Sequence, residues 1–202
     1  ALYHASFETN TQLNIKYIDS EDLEQSSAKK LLSGCDGILV PGGFGDRGFE
    51  GKISAIQYAR ENNIPFFGIC LGLQMAIIEY ARNVCSIKDA NTRESTKKTK
   101  NYVIDIMKAQ KDIKDKGGTM RLGKYPCDLK KSSNAYSAYK KSKISERHRH
   151  RYEVNPKYHS ILKKNGLNLS GMSPDGKLVE IIELKKHKWF VACQFHPEFK
   201  SK

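Results

Sequence analysis

Short apolar runs alternate with helical segments in the first half of the chain. Residues 37–40 and residues 64–69 are apolar runs too short for helices, and such runs are typical of strands buried in a parallel sheet. Residues 51–60 follow the first run with a helical pattern, and residues 71–80 follow the second run directly. The order strand–helix–strand–helix predicts a doubly wound α/β sheet with right-handed crossovers.

The flanking regions predict further elements. Residues 13–18 alternate between apolar and polar and predict a strand, and the polar triplet after them predicts the start of a helix that reaches about residue 32. Near the end of the chain, tight turns separate short apolar segments. We therefore expect a mostly parallel sheet flanked by helices, with a small antiparallel extension. The predicted later elements are a helix over residues 158–164 and strands over 102–107, 167–173, 178–184 and 189–195.

The 202 residues carry a formal net charge of +13, and the excess is concentrated in one region. Between Cys85 and His150 there are 18 Lys and Arg residues against 7 Asp and Glu residues, a net charge of +11. A uniformly basic fold would indicate nucleic acid, whereas a basic excess in a loop-rich region is typical of solvated insertions. We predict one domain over residues 1–202 with basic surface insertions at about 95–116 and 130–143, and we do not expect a nucleic-acid partner.

Cysteine number and hydropathy exclude several protein classes. The five cysteines are odd in number and none pairs at CxxC spacing, which argues against a zinc site or a disulfide framework and for a reducing compartment. We therefore expect a cytoplasmic protein without a metal site. No apolar run approaches the ~18 residues of a membrane span, and the start of the chain lacks a signal-peptide pattern. The chain opens within a predicted element, so we expect it to be a segment of a longer protein.

The pentapeptide GICLG (residues 68–72) lies where a predicted strand gives way to a predicted helix. This is the nucleophile-elbow pattern G-x-nucleophile-x-G, with Cys70 in the nucleophile position. The glycines permit a tight turn, and the N-terminus of the helix favours a thiolate there. The backbone N–H of Leu71 would face a developing oxyanion. Taken alone, the pentapeptide is equally compatible with a buried cysteine in a tightly packed corner.

A second candidate motif, QFHPE (residues 194–198), follows a predicted strand near the end of the chain. His196 and Glu198 can face the same crevice, because the carboxyl ends of the strands form the ligand-binding edge of α/β sheets. His196 would act as base and acid, and Glu198 would orient its imidazole. A surface His–Glu pair without a task is the alternative, and the presence of the elbow cysteine weighs against it.

A third motif, PGGFG (residues 41–45), directly follows a predicted strand. Glycines in such a loop expose backbone N–H groups that can hold an anion or a carbonyl oxygen. A phosphate-binding loop is the rival interpretation, but the GxxxxGK[ST] pattern is absent and Lys52 is followed by Ile53. We therefore favour an oxyanion-binding loop.

The order of the three motifs resembles that of the class I glutamine amidotransferases, which have a glycine oxyanion loop, a GxCxG elbow and a terminal HPE. Within this class, the chain resembles the glutaminase domains of the CTP synthase family over nearly its whole length. The resemblance fails after Ser95, which stands where the family prefers an aromatic residue, and over residues 130–143. It rests on LVPGGFGDRG (39–48), ARENNIPFFGICLGLQ (59–74), GGTMRLG (117–123), ERHRHRYEVN (146–155), and LVEIIE with WFVACQFHPEF (178–183 and 189–199).

The resemblance implies roles for individual residues. Cys70 would be the nucleophile, and His196 and Glu198 would complete a catalytic triad. Gly43 and Leu71 would supply the N–H groups of an oxyanion hole. The positions that match the family's glutamine-binding residues are Gly72, Leu73, Gln74, Glu94 and Arg151.

The resemblance also implies what surrounds this domain. L-Glutamine would be hydrolysed through a γ-glutamyl thioester, and the ammonia would pass to an N-terminal amidoligase (synthase) domain, absent from this chain, that converts UTP to CTP with ATP and magnesium. The glutaminase domain itself would need no cofactor. GTP would act as an allosteric activator, near residues 44–51 and 111–118. The full-length protein would be a homotetramer.

Two other functions stay open on the sequence. Another class I enzyme, such as a GMP synthase or a γ-glutamyl hydrolase, would share Cys70 and His196 but not the stretch ERHRHRYEVN. A binding module would use the basic region for RNA or acidic partners and would leave the triad idle. Few aromatic residues are interleaved with the basic ones, chiefly Tyr136 and Tyr139, which argues against a base-stacking surface.

Overall fold

The computed structural model describes residues 1–106 and 120–201. The predicted activator stretch 111–118 and residues 107–116 of the first predicted insertion, 95–116, lie outside these described residues. Two short 3₁₀ helices accompany the regular elements, at Pro156–Tyr158 and Pro197–Lys200. The helices are α1 (Leu2–Glu8), α2 (Asp22–Gln25), α3 (Ala28–Leu32), α4 (Phe49–Glu61), α5 (Leu71–Asn83), α6 (Asn134–Tyr139) and α7 (His159–Lys164). The strands are β1 (Ile38–Val40), β2 (Phe66–Ile69), β3 (Asn91–Thr92), β4 (Tyr102–Ile106), β5 (Arg121–Leu129), β6 (Lys143–His150), β7 (Tyr152–Val154), β8 (Asn168–Met172), β9 (Val179–Glu183) and β10 (Phe190–Cys193).

The main sheet has seven strands in the order β1-β2-β10-β9-β8-β5-β6, and a small sheet has the order β3-β4-β7. In the main sheet β1, β2 and β10 run parallel, and every other neighbouring pair is antiparallel. The predicted α/β architecture with flanking helices is confirmed. The sheet is mixed rather than mostly parallel, because the antiparallel extension, expected to be small, supplies four of the seven strands formed by the described residues.

Helix α5 lies at the centre of the fold. Residues 71–81 are all buried, including Glu79, whose Oε1 lies 2.7 Å from Nη2 of Arg60 on α4. The helix packs against β2 and β10 of the main sheet, against α4, and against the small sheet. A helix enclosed in this way has little need of a polar face, which explains why the segment is apolar around most of its circumference.

Three predictions made from local pattern are corrected by the structure. Residues 13–18 form no strand, and the helix predicted to reach residue 32 is two short helices, the second capped by Ser27 Oγ accepting from the N–H of Lys30 at 3.3 Å. The stretch 130–143 is not a fully solvated loop, because it contains α6. That helix is anchored from inside the protein, since the carboxylate of buried Glu183 accepts its first two backbone N–H groups at 2.9 Å each. Whether this stretch is an insertion stays a prediction.

Within the described ranges, no helix combines the length and the apolarity that a membrane crossing requires.

A buried ionic network joins the two sheets. Arg121 on β5 donates to Glu153 on β7 at 3.0 Å and to Glu180 on β9 at 2.9 Å, and all three side chains are almost inaccessible. Two buried imidazoles, His148 and His150, are joined to each other at 2.8 Å and lie 3.6 Å from Glu180 and Glu153 respectively. Burial raises the pKa of Glu153 to about 8, against the opposing effect of Arg121. In this network, the guanidinium of Arg121 therefore compensates most of the negative charge of the buried carboxylates.

We expect Arg121→Met to lower the free energy of unfolding by about 3–5 kcal/mol at pH 8, the usual effect of removing one partner of a buried ion pair. A folded-state pKa above the unfolded value means that stability is lost as pH rises through the interval between them. The loss should therefore be smaller at pH 5, where Glu153 binds a proton readily. Urea unfolding at the two pH values measures both effects.

The matched control is Arg47→Met, which breaks an exposed ion pair with Glu21 and should change the unfolding curve little at either pH. An equal loss at pH 5 and pH 8 in the Arg121 variant would show that lost packing, rather than uncompensated charge, is the cause.

Candidate active site

The turn from β2 into α5 is strained and closely packed. Cys70 occupies it with φ 52° and ψ −99°, a conformation that residues with a side chain rarely adopt. A Cβ on Gly72 would lie 2.2 Å from the carbonyl oxygen of Val40, and a Cβ on Gly68 would lie 2.9 Å from Cβ of Ala192. Only glycine fits at both positions, so the sequence pattern GxCxG reflects the close approach of α5 to the sheet.

His196 is held on two sides. Its Nδ1 lies 2.7 Å from Oε1 of Glu198, and its backbone N–H donates to the carbonyl of Arg147 at 2.8 Å. Its ring stacks on Phe199, with the ring centroids 5.0 Å apart. Because Nδ1 faces a carboxylate, the neutral tautomer that fits this contact has its hydrogen on Nδ1 and its lone pair on Nε2. Nε2 is buried and has no hydrogen-bond partner among the residues that the structure describes.

The cysteine and the imidazole meet at the glycine loop after β1. A Cβ on Gly42 would lie 2.7 Å from Cε1 of His196 and 3.6 Å from Cβ of Cys70. The structure therefore brings Cys70, His196 and Glu198 together at the carboxyl ends of three adjacent parallel strands.

The Cys70 thiol lies in an environment that disfavours its ionisation. Burial raises its pKa to about 12, the hydrogen bond from the backbone N–H of Leu71 lowers it, and the charges of Glu153, Glu198 and Glu94 raise it further. The position at a helix N-terminus led us to expect a stabilised thiolate, and burial outweighs that effect. A base must therefore remove the proton when the sulfur reacts.

The two residues predicted for an oxyanion hole lie side by side. The N–H of Leu71 is directed at the Cys70 sulfur. A Cβ on Gly43 would lie 3.1 Å from Cδ2 of Leu71, so the backbone of the glycine loop passes next to this turn. The arrangement suits two N–H groups converging on one oxygen atom.

The residues predicted to bind glutamine occupy different environments. Glu94 is half-buried and its Oε1 accepts the N–H of Gly45 at 2.8 Å; burial raises its pKa, and Gly45 and Arg151 oppose the shift. Nε of Arg151 is buried without a hydrogen-bond partner in the described part of the chain. Leu73 is fully buried in the core, so its side chain is not available to a ligand. Gly72 is likewise enclosed, as its contact with β1 shows.

Gln74 is buried, and its amide is already engaged. Nε2 donates to the carbonyl of Tyr152 at 3.2 Å and to Oε1 of Gln194 at 3.5 Å. Gln194 in turn directs its Nε2 at the Cys70 sulfur, 3.8 Å away. No role was predicted for Gln194, although a polar residue between the apolar strand β10 and Phe195 is a signal that could have singled it out. The carbonyl of Arg149, which accepts from Cys70 Sγ at 3.9 Å, has no signal in the sequence.

No group of three or more His, Cys, Asp or Glu side chains is arranged to hold a metal ion within residues 1–106 and 120–201.

Comparison with known proteins places the chain among relatives with similar motifs. The family model described as glutamine amidotransferase class-I matches residues 1–202. CTP synthases of Clostridium acetobutylicum and Carboxydothermus hydrogenoformans are each 58% identical over 202 residues, which cover 100% of this chain and 38% of each relative. The chain thus spans well under half the length of these curated relatives.

A solved structure gives the same result for the fold. The glutaminase domain of Trypanosoma brucei CTPS with bound acivicin superposes with a TM-score of 0.89 at 43% identity, covering 98% of this chain and 77% of that one. The chain therefore belongs to the class I glutamine amidotransferase family, and within it to the glutaminase domains of CTP synthases.

Proposed function

We propose that this chain hydrolyses L-glutamine with Cys70 as nucleophile, His196 as acid and base, and Glu198 as the group that orients the imidazole. The observation that carries the proposal is the meeting of Cys70 and His196 at Gly42, with Nδ1 of the histidine bound by Glu198. Nε2 is then the only nitrogen of the ring able to accept a proton, and it lies buried beside the thiol's own loop.

In the first half of the reaction, Cys70 Sγ attacks the side-chain carbonyl carbon of glutamine while its proton moves to Nε2 of His196. The carbonyl oxygen becomes an oxyanion, which accepts N–H groups of Gly43 and Leu71. The C–N bond then breaks as His196 returns the proton to the nitrogen, and ammonia leaves. A γ-glutamyl thioester remains on Cys70.

In the second half, His196 takes a proton from a water molecule whose oxygen attacks the thioester carbon. The C–S bond breaks, the proton passes to the departing sulfur, and glutamate is released. Glu198 stays ionised throughout and stabilises the transiently charged imidazole. Glu94 and Arg151 would bind the charged end of the substrate, and the backbone around Gly72, Leu73 and Gln74 would line the pocket.

The activity proposed for the whole protein extends beyond these residues. The ammonia would serve a synthase domain that forms CTP, as the names of the relatives suggest. We propose that this domain aminates UTP with ATP and magnesium. We propose GTP as activator, with residues 44–51 as one contact, and a homotetramer as the complete assembly. Within that loop, the N–H of Gly45 donates to Glu94. A ligand bound to the loop could therefore influence the glutamine site through this one hydrogen bond.

Replacing the nucleophile should abolish the reaction. We expect Cys70→Ala and Cys70→Ser to release glutamate from glutamine only at background rate, and 6-diazo-5-oxo-norleucine to label Cys70 alone in the wild-type chain. Peptide mass spectrometry locates the adduct, and His196→Ala should prevent it. Cys35→Ala is the matched control and should retain activity and labelling. Near-normal hydrolysis by either Cys70 variant would contradict the assignment.

The buried thiol predicts an unusual pH profile. Because burial raises the pKa of Cys70 to about 12, the fraction present as thiolate should rise about tenfold with each pH unit through the neutral range. Alkylation of Cys70 by iodoacetamide, followed by mass spectrometry from pH 7 to pH 9, should therefore rise steadily without a plateau. A free thiol in solution, with a pKa near ~8.5, provides the reference curve. A plateau at pH 7 would indicate a preformed thiolate.

A further inference from the structure

Gln194 is a polar side chain at a fully buried position. It follows β10 directly and has no exposed surface. Its two neighbours in the chain, Cys193 and Phe195, are also buried. Its backbone N–H donates to the carbonyl of Glu180 at 2.8 Å, which fixes the residue against β9. A primary amide is costly to bury unless both its ends are hydrogen-bonded, so its partners indicate why it is there.

The orientation of the Gln194 amide follows from a chain of contacts that starts at a backbone carbonyl. The carbonyl of Tyr152 can only accept, so the group of Gln74 that faces it at 3.2 Å is the NH₂. That NH₂ has a second hydrogen, which faces Gln194 at 3.5 Å, so the Gln194 atom there is the oxygen. The NH₂ of Gln194 therefore points at the Cys70 sulfur, 3.8 Å away.

Sulfur is a weak acceptor while it carries its proton and a strong one after losing it. The S–H of Cys70 donates a hydrogen bond to the carbonyl of Arg149. The thiolate has no hydrogen to donate, and each N–H directed at it stabilises its charge. The acidic groups whose charges act on the sulfur, Glu94, Glu153 and Glu198, all oppose its ionisation. The backbone N–H of Leu71 opposes their effect, and a second neutral N–H donor at the sulfur would add to it.

We infer that Gln194 is a further residue of the reaction: its side-chain amide, oriented by Gln74, donates to the Cys70 sulfur and stabilises the thiolate as the proton leaves for His196. This inference rests on the proposed role of Cys70 as nucleophile. It also gives Gln74 a second task, since the residue expected to contact glutamine sets the direction of the donor.

A purely structural role for Gln194 makes a different prediction. If the amide only filled space and satisfied Gln74, its loss would affect folding and leave the reactivity of Cys70 unchanged in whatever fraction remained folded. If it stabilises the thiolate, the reactivity falls in fully folded protein. The reactivity of the Cys70 sulfur in folded protein therefore distinguishes the two roles.

The test is the rate of Cys70 alkylation by iodoacetamide in Gln194→Met, which keeps the length of the side chain and removes the donor. We expect a fall of about 10- to 100-fold at every pH from 7 to 9, the fold-change that corresponds to one lost hydrogen bond to an ionised group. The rate constant for glutamine hydrolysis, kcat, should fall by a similar factor while KM changes little, because substrate contacts are not removed. Gln57→Met, which removes an amide on the exposed side of α4, is the matched control and should match the wild type.

A second variant covers the case in which Gln194→Met does not fold, as judged by circular dichroism and urea unfolding. Gln194→Asn keeps a buried amide but is one methylene shorter, so it withdraws the donor from the sulfur, and it should show the same loss. Folded Gln194 variants with wild-type alkylation rates and wild-type kcat would overturn the inference. A wild-type chain that neither hydrolyses glutamine nor accepts the diazo label at Cys70 would instead overturn the proposed function.

Discussion

The active site depends on the close approach of α5 to the parallel strands at its first turn. There is no room for a Cβ at Gly72, which lies against the carbonyl of Val40, nor at Gly68, which lies against Ala192. Strand pairing places the end of β2 between the ends of β1 and β10, which flank it in the sheet. The loops that follow three adjacent parallel strands then meet, and they carry the glycines predicted for an oxyanion hole, the cysteine and the histidine. The strain at Cys70 is a consequence of the same approach.

This constraint explains which parts of the molecule could be predicted. The parallel strands, the elbow and the HPE motif are encoded within short windows, because glycine spacing and apolar runs have local causes. The antiparallel half lacks such a pattern. In β6, buried and exposed residues alternate as expected for a strand, but the buried ones include Glu146, His148 and His150, and these are compatible with an interior only when partners from other strands are present. Sequence alone cannot supply those partners.

The same reasoning applies to the stretch ERHRHRYEVN, which identified the family most specifically. Arg147 and Arg149 are exposed on β6, whereas His148, His150 and Glu153 belong to the buried network around Arg121. These three side chains therefore lie in the interior next to the site rather than in the pocket itself. The connection of this stretch to the site is partly electrostatic, since the charge of Glu153 acts on the Cys70 thiol, and partly through the backbone carbonyls of Arg147 and Arg149, which accept from the His196 N–H and from Cys70 Sγ. Similarly, α6 forms because Glu183, 48 and 49 residues away in sequence, accepts its N-terminal N–H groups.

Two opposing effects decide whether the Cys70 sulfur is ionised, and their sizes differ. A helix N-terminus contributes ~0.3–2 kcal/mol in favour of a nearby negative charge. Raising the pKa from 9.0 to about 12 corresponds to about 4 kcal/mol against it. The resting sulfur is therefore a thiol, and its N–H neighbours interact only weakly with it. In the proposed reaction, the charge that develops on sulfur as the proton moves to His196, and then on the substrate oxygen, would meet donors already in place at Leu71, Gly43 and Gln194. Interactions that strengthen only as charge develops lower the barrier without stabilising the resting state. Because burial keeps the resting sulfur protonated, these donors favour the transition state over the resting state.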